Sequence, residues 1–366
     1  MPCSPHSETR KNDISPESFS EQLSGLRFAE LHRHLEGSIR VSWLPEVAKL
    51  AGIELPSQDP KVLRNLYESP VKVKHVNELW PIFDRIGELF CSRDAVKWIT
   101  AFVLRDTLKE NISYLELRFS PLYMALSHNL SQRDVMEGVI EGVSLVRSEH
   151  PELDVNLILI IERQRDISTF GKPLLKLAAQ YLDRKEAPLV ALDLANDELN
   201  HPPEKFKDIF LTARDMGLRI TVHAGEGGGP ENVRRAVLEL GAERIGHGFT
   251  SHLDPEVMEM LRVNRIPLEV CLTSNDKAAV VTAVKDHPLP RFLEAGVPVT
   301  ISTDDPGLFD CDLPGEHRLL VEPLGLKLAE IRQIMLNSFD YAFTANDEQR
   351  ARLLALKGRS AYMDPR

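Results

Sequence analysis

The chain has 366 residues, 43% of them hydrophobic and 27% charged, so it can bury a sizeable core and is long enough for one large α/β barrel. The formal net charge is -11 and the basic residues are scattered among acids, which excludes the basic surface typical of nucleic-acid binders and favours a small ligand of little charge. The sequence has no apolar run long enough to span a membrane and no CxxC pair among its four cysteines, so we expect a cytoplasmic protein without membrane or nucleic-acid partners.

Residues 1–25 are polar, contain prolines and serines, and lack the apolar stretch of a secretory signal. We predict a flexible N-terminal tail over residues 1–25. No internal repeat, low-complexity tract or linker follows, so residues 26–366 are predicted to form a single domain.

After the tail, short apolar and β-branched runs alternate with longer amphipathic stretches, a rhythm typical of βα units and a parallel sheet. Eight such units favour a closed (β/α)8 TIM barrel, although the rhythm alone leaves an open doubly wound sheet as an alternative. The predicted strands are residues 28–32, 113–119, 155–161, 189–194, 218–223, 244–247, 267–271 and 297–303.

The segment between the first two predicted strands, residues 41–112, contains stretches of helical spacing such as VNELWPIFDRIGELF. We therefore predict a helical insertion after strand 1, at the end of the barrel where insertions often shape a lid over an active site. A packing appendage without a functional role is the alternative. Residues 326–355 are also predicted to be helical and would complete the outer ring.

Residues that can bind a metal lie at the ends of predicted strands, where a barrel carries its catalytic groups. The first strand runs into HRHLEG, in which His32 and His34 are two residues apart and so share one face of the strand. Neutral imidazole is a good zinc ligand. A pair of surface histidines is the alternative, but the apolar run that leads into them disfavours it.

The fifth strand ends in HAGEGGG, which carries His223 and Glu226. Its glycines give the backbone the freedom to bring the Glu226 carboxylate to the barrel mouth. The cluster lacks the spacing of a phosphate-binding loop, and a purely structural turn is the stronger alternative.

The sixth and eighth strands end in GHG, with His247, and in TDDP, with Asp304 and Asp305. A single histidine is often a core residue, and two adjacent acids before a proline often form a turn. Two buried neighbouring carboxylates repel each other, however, and a metal or a hydrogen-bonding substrate would relieve that cost. Taken together, the four motifs offer nitrogen and oxygen ligands without thiolate, which suit Zn²⁺, suit Fe, Mn or Co less selectively, and do not match the oxygen-only sites of Mg²⁺ or Ca²⁺.

These motifs, together with YLELRFSP at 114–121 and LEVCLTSN at 268–275, resemble those of the adenosine deaminase family of metal-dependent hydrolases, over about residues 28–309. The resemblance implies a TIM barrel with one Zn²⁺ per subunit and a small purine substrate. It implies hydrolysis of adenosine or deoxyadenosine to inosine or deoxyinosine and ammonia. The zinc ligands implied by the resemblance are His32, His34, His223 and Asp304.

The same resemblance implies catalytic roles for Glu226, His247 and Asp305. Glu226 would deliver a proton to purine N1, His247 would orient the attacking water and help to deprotonate it, and Asp305 would hold that water and hydrogen-bond the purine. Zinc can lower the pKa of a bound water from about 15.7 towards about 7. Since addition to the aromatic ring needs a proton on N1, we expect burial and nearby acids to raise the pKa of Glu226.

The residues expected to contact the substrate depart from the family pattern. Glu36 stands where the family's HLDG has an aspartate that contacts the ribose 5′-hydroxyl, and Asn196 replaces a glycine of AGDE whose N–H meets purine N3. Leu272 replaces the proline of CPTSN. Adenine, N6-methyl-AMP and aminodeoxyfutalosine therefore stay open as alternative substrates.

Other functional classes fit the motifs less well. A two-metal amidohydrolase usually needs a bridging lysine in the fourth strand, and LVALDLAND has none. A nucleic-acid editing deaminase needs HxE and PCxxC motifs, and PCxxC is missing from the sequence. A binding protein that had lost catalysis should lack a ligand or the glutamate, yet every position is filled. The sequence leaves the oligomeric state open.

Overall fold

The predicted strand rhythm corresponds to eight parallel strands in a computed structural model that describes residues 14–69 and 71–360. The strands hydrogen-bond in chain order, and a bridge between Arg33 and Asp304 joins the last to the first. The predicted TIM barrel is therefore confirmed. The strands are β1 Phe28–His34, β2 Ile112–Phe119, β3 Asp154–Glu162, β4 Leu189–Ala195, β5 Arg219–Ala224, β6 Arg244–His247, β7 Leu268–Val270 and β8 Val299–Ile301.

Helices surround this barrel and cover the outer faces of its strands. Because both faces are covered, β3 is buried along its whole length, which explains its nearly continuous apolar sequence. The helices in the described residues are α1 Pro16–Ser24, α2 Leu44–Ala51, α3 Pro60–Tyr67, α4 Trp80–Glu88, α5 Arg93–Lys109, α6 Pro121–Leu126, α7 Gln132–Glu149, α8 Lys172–Ala178, α9 Lys207–Asp215, α10 Pro230–Leu240, α11 Pro255–Val263, α12 Leu272–Lys277, α13 Leu289–Glu294, α14 Leu313–Val321, α15 Leu328–Asp340 and α16 Asp347–Ser360. Among them, no helix has the length and apolar character needed to cross a bilayer.

The insertion predicted after strand 1 is helical and contains α2 to α5. Its middle is tied to the loops at the carboxyl ends of β7 and β8. The backbone N–H of Ser69 donates to the Leu308 carbonyl at 2.6 Å, and Lys72 Nζ donates to Asp276 at 3.0 Å. The insertion is therefore fastened to the end of the barrel that carries the candidate site residues.

The predicted flexible tail, residues 1–25, differs from the structure in its second half. Residues Pro16–Ser24 form α1, which begins where the Ser15 side chain accepts a hydrogen bond from Ser18 N. Phe19 and Leu23, four residues apart, lie on one face and are buried. Residues 1–13 of the predicted tail lie outside the described residues, and the division into a tail and a single domain stays a prediction.

The amino end of the barrel is closed by the segment between α15 and α16. The helix predicted across 326–355 is interrupted here, and the ring of Phe343 enters the barrel instead, with the guanidinium of Arg244 3.6 Å from the ring centroid. The Phe343 N–H donates to Glu116, and its carbonyl accepts from Tyr114 and Asn156. We call this segment, residues 341–346, the C-terminal plug.

Candidate metal centre

The four ligands predicted from the sequence meet at the carboxyl end of the barrel. The Nε2 atoms of His34 and His223 are 3.2 Å apart, and Asp304 Oδ1 lies 3.2 Å from His34 Nε2. His32 Nε2 lies 3.1 Å from the same Asp304 oxygen. One ligand atom from each residue lies within 4.8 Å of the others.

An irregularity in β1 helps to aim the two histidines of HRH. Glu30 pairs with Leu115 and Arg33 with Leu117, so two residues of β1 lie opposite one residue of β2. Beyond this bulge His32 and His34 face the site, whereas Arg33 turns away and pairs with Glu30 at 2.7 Å. The bulge therefore sets which residues of β1 point inward.

Asp304 reaches both histidines because its backbone joins β1. Its N–H donates to the His32 carbonyl at 3.0 Å, and its carbonyl accepts from the His34 N–H at 2.9 Å. The residue has a φ of 67°, a left-handed conformation that is uncommon outside glycine. The other oxygen of its carboxylate, Oδ2, accepts a hydrogen bond from Ser274 at 2.7 Å.

Buried carboxylates hold the ring nitrogens that face away from the centre. His32 Nδ1 lies 2.7 Å from Glu269, and His223 Nδ1 lies 3.0 Å from Asp193. Arg118 joins these two carboxylates, donating to Asp193 at 2.8 Å and to Glu269 at 2.9 Å. Such partners fix the tautomer and the orientation of a metal-bound imidazole, so each Nε2 is directed at the centre.

The ionisation states of Asp193 and His223 fit metal binding. Burial alone would raise the pKa of Asp193, but the hydrogen bond from His223 and the charge of Arg118 outweigh it and hold that pKa below its usual range. Burial lowers the pKa of His223 to about 3, which keeps the imidazole neutral, the form that binds metals.

One buried atom calls for a ligand. Within residues 14–69 and 71–360, Nε2 of the fully buried His32 lies 3.1 Å from Asp304 Oδ1, another predicted ligand atom, but the two are not aligned as a hydrogen bond and Nε2 has no other partner. Buried polar atoms are rarely left in this state. Three imidazoles and one carboxylate without thiolate form a donor set that suits Zn²⁺, so the residues fit the metal that the sequence predicts.

Glu226 and His247 lie beside these ligands. His247 Nε2 is 3.6 Å from Glu226 Oε2 and 3.9 Å from Asp304 Oδ2, and the Asn275 amide lies 3.2 Å from the other ring nitrogen. Burial raises the pKa of Glu226; His247 opposes the shift, whereas Asp304 and Glu198 add to it. The expected protonated carboxyl therefore has physical support.

Asp305 is packed tightly on the other side of the site. Burial, with Asp304, Glu36 and Glu226 adding to it, raises the pKa of Asp305 well above its usual range. A Cβ atom at Gly37 would lie 1.7 Å from Asp305 Oδ1, so this position of HLEG has room for glycine alone. In the described part of the chain Oδ1 has no hydrogen-bond partner.

Glu36 and Asn196, the residues predicted to contact the substrate, differ in their exposure to solvent. Glu36 is buried; its Oε1 accepts from the Ser120 N–H at 2.7 Å, and burial raises its pKa to about 8. Its Oε2 has no partner among the described residues. Asn196 is exposed with a φ of 75°, which explains why asparagine, the residue most tolerant of this conformation after glycine, stands where the family has glycine.

Sequence reasoning missed four charged residues that support the site. Each is a charged residue within or beside an apolar strand. That position was the available signal, because a charge buried in a strand needs a partner. What the sequence does not show is which strand supplies that partner. The four are Arg118, Asp193, Glu198 and Glu269.

Comparison with known proteins agrees with this arrangement. The sequence model of a family described as adenosine deaminase matches residues 28–356. The chain is 37% identical to an adenosine deaminase of Photorhabdus laumondii over 331 residues, 89% of this chain and 96% of the relative.

Two solved structures are also similar. One is an adenine deaminase from Arthrobacter aurescens, with a TM-score of 0.80 and 26% identity, covering 91% of this chain and 98% of that one. The other is an N6-methyl-AMP deaminase from Arabidopsis thaliana, with a TM-score of 0.77 and 30% identity, covering 93% of this chain and 98% of that one.

Proposed function

The chain belongs to the adenosine deaminase family, and from that premise we propose that it is a zinc-dependent enzyme that hydrolyses adenosine or deoxyadenosine to inosine or deoxyinosine and ammonia. The observation that carries the proposal is the convergence of three imidazoles and the Asp304 carboxylate next to Glu226 and His247. A nucleophile source and a proton donor then face the same point, which hydrolytic removal of an aromatic amino group needs.

The metal would be held by His32, His34, His223 and Asp304. When bound, Zn²⁺ would supply a water whose pKa is lowered towards about 7. The Asp193 and Glu269 carboxylates would keep two of the imidazoles in register for it.

The side chains around the metal would supply and accept the protons of the reaction. A purine ring accepts a nucleophile at C6 once N1 takes up a proton, and the raised pKa of Glu226 favours the protonated form that could deliver that proton. His247 lies within reach of both Glu226 and Asp304, so it would orient the attacking water and help to pass its proton to the departing nitrogen. Asp305, with a free oxygen and a raised pKa, would hydrogen-bond the water and the purine.

The substrate side favours an uncharged sugar over a phosphate. The free oxygen of Glu36 can accept a hydrogen bond from a hydroxyl, and Glu162, which binds Ser120 at 2.7 Å, adds a second acid. Arg165 is already paired with Glu162 at 3.2 Å. Glu36, with a pKa of about 8, is mostly uncharged at neutral pH, and Arg165 is occupied by Glu162, so these residues offer a sugar hydroxyl a hydrogen bond but offer a phosphate no free cation, which supports a nucleoside rather than N6-methyl-AMP as substrate.

The test is a substrate panel with the zinc-loaded protein. Adenosine, deoxyadenosine, adenine, N6-methyl-AMP and aminodeoxyfutalosine would be compared by kcat/KM, followed by the ultraviolet change on loss of the 6-amino group. We expect the two nucleosides to react fastest. Fast turnover of another compound alone would move the substrate and keep the chemistry, and no turnover with zinc bound would overturn the proposal.

The metal assignment has its own test. His223→Ala should lose stoichiometric zinc, measured by elemental analysis after dialysis, because it removes one of four ligands. His150→Ala, at a histidine whose side chain is 40% exposed, is the matched control and should retain zinc. Full zinc retention in His223→Ala would contradict the ligand set.

A further inference from the structure

The loop that carries Glu226 is bound by a carboxylate from the neighbouring loop. Glu198, in the turn after β4, is buried and accepts hydrogen bonds from four consecutive backbone N–H groups of the loop after β5. The donors are Gly225 N at 2.6 Å, Glu226 N at 3.1 Å, Gly227 N at 3.0 Å and Gly228 N at 2.8 Å.

Successive N–H groups that point to one place form a concave site for an anion. Here the anion is a side chain of the same protein, and hydrogen bonds to a charged acceptor are stronger than those between neutral groups. Since all four donors lie on the loop that bears Glu226, the Glu198 carboxylate fixes the path of that loop.

This contact explains the glycines of HAGEGGG more fully than freedom of movement does. A Cβ atom at Gly228 would lie 2.7 Å from Glu198 Oε1, and Gly225 has a φ of 75°. Gly229 has no atom within 4 Å of its would-be Cβ. Gly228 therefore allows the close approach of Glu198, and the loop is held by Glu198 rather than free.

The anchor itself is held in place. Asp197 accepts from the Asn200 N–H at 3.2 Å, which closes the turn that presents Glu198. Arg163 donates to the carbonyls of His201 at 2.7 Å and of His223 at 2.5 Å, and so ties the loop after β4 to the end of β5.

The Glu226 side chain needs such an anchor. It is 29% exposed, and in the described part of the chain its carboxyl has a single ion-pair contact, the one to His247 at 3.6 Å. Its position therefore depends on its backbone, which lies between glycines that adopt many conformations when unrestrained.

We infer that Glu198 is a positioning residue for catalysis, which holds the Glu226 carboxyl at the reaction centre through the backbone of residues 225–228. This inference rests on the proposed role of Glu226 as proton donor. A misplacement of about 1 Å can cost about 100-fold in rate, so the effect should fall on kcat.

The first experiment replaces Glu198 by glutamine, which keeps the shape but turns an NH₂ group towards the N–H donors. Glu198→Gln should lower kcat for the best substrate by about 100-fold, with KM and zinc content close to those of the wild type. Hydrogen exchange of the amides of residues 225–228 should become faster in this variant. A kcat within threefold of the wild type would overturn the inference.

A double-mutant cycle separates positioning from a general structural effect. In a Glu226→Gln background, Glu198→Gln should change the residual kcat less than threefold, because the group that it positions is already lost. An equal loss in both backgrounds would overturn the inference. If the wild type turned over no purine, the proposed function would fail, and the exchange rates would still report whether Glu198 holds the loop.

A second pair of variants guards against misfolding of Glu198→Gln. Gly228→Ala places a methyl group 2.7 Å from Glu198 Oε1 and 2.3 Å from Asn232 Nδ2, and should lower kcat to a similar extent. Gly229→Ala, one residue away in open space, should leave kcat and the exchange rates unchanged. Equal activity of the two alanine variants would contradict the anchor.

Discussion

Both ends of the barrel interior contain buried polar residues. Of those that the structure describes, the residues at the carboxyl end include atoms without a hydrogen-bond partner, whereas those compared at the amino end are hydrogen-bonded. At the carboxyl end, atoms of His32, Glu36 and Asp305 have no hydrogen-bond partner among the described residues. At the amino end, Glu116 accepts from Phe343 N, and Asn156 exchanges hydrogen bonds with Gln349 at 2.9 Å.

The backbone does not separate the two ends. Asn196, His247 and Asp304 at the carboxyl end have positive φ values without being glycine, and so do Asn111 and Arg265 at the amino end. The difference lies in the hydrogen bonds, because unmet hydrogen-bonding capacity costs free energy and persists where function requires it. The comparison teaches that a charged residue in a barrel strand marks a site when its polar atoms lack partners, and marks the fold when they are satisfied.

The largest effect is expected at the carboxyl end. Glu226→Gln should lower kcat by about 10²–10⁴-fold while zinc and purine binding persist, because an amide cannot supply the proton for N1. Steady-state kinetics, elemental analysis and equilibrium binding of the product would measure this. Glu231→Gln, at an exposed glutamate on α10, is the matched control. A kcat within tenfold of the wild type would show that Glu226 has another role.

The amino end should respond in stability instead. Phe343→Ala should lower the free energy of unfolding by about 3–5 kcal/mol, because it empties the space filled by the C-terminal plug. Denaturant unfolding would measure the loss, with Leu354→Ala on the exposed face of α16 as control. Zinc content and kcat of the folded variant should stay near wild type, and a loss of activity without a loss of stability would break the comparison.

A smaller effect is expected at Asp193, which contacts the predicted metal ligand His223. Asp193→Asn should weaken zinc binding about 10–100-fold, because the amide is a poorer partner for His223 Nδ1. Competition with a chromophoric chelator would give the affinity. Asp183→Asn, at an exposed aspartate, should leave it unchanged. Equal zinc affinities for the two variants would mean that Asp193 serves only the fold.

The smallest effect concerns pH. Burial raises the pKa of Glu316 from 4.5 to about 7, opposed by hydrogen bonds from the backbone of Thr273 and Leu272. The folded state then binds this proton more tightly than the unfolded state, so stability should fall as pH rises from about 4.5 to 7. Glu316→Gln should flatten this dependence of Tm. A Tm difference between the two proteins that is constant with pH would contradict it.

How far the sequence predicts the molecule depends on the distance between partners along the chain. The barrel follows from a local rhythm, and His32, His34, His223 and Asp304 come together because each motif follows a strand. Their roles stay predictions. The anchor Glu198 was not predicted, since its donors lie about 30 residues away and nothing local marks them.

Dependence on distant partners also explains where the structure differs from the sequence-based predictions. The bulge in β1 depends on its pairing with β2, and burial of Phe19 depends on packing that a polar N-terminal composition conceals. The interruption between α15 and α16 follows from bonds that Glu116 and Asn156 offer to the Phe343 backbone, which helical periodicity does not reveal. Tertiary partners override local patterns at each of these places.

The carboxylates around the metal ligands have a consequence for the charge of the centre. Asp304, Asp193 and Glu269 are held in the ionised form. Arg118 bridges Asp193 and Glu269, and Arg244 also pairs with Glu269 at 2.6 Å, so two arginines accompany two of the carboxylates, whereas Asp304 has no arginine partner among the described residues. Because an uncompensated buried charge is costly, a bound cation at Asp304 would stabilise the folded barrel as well as serve the reaction.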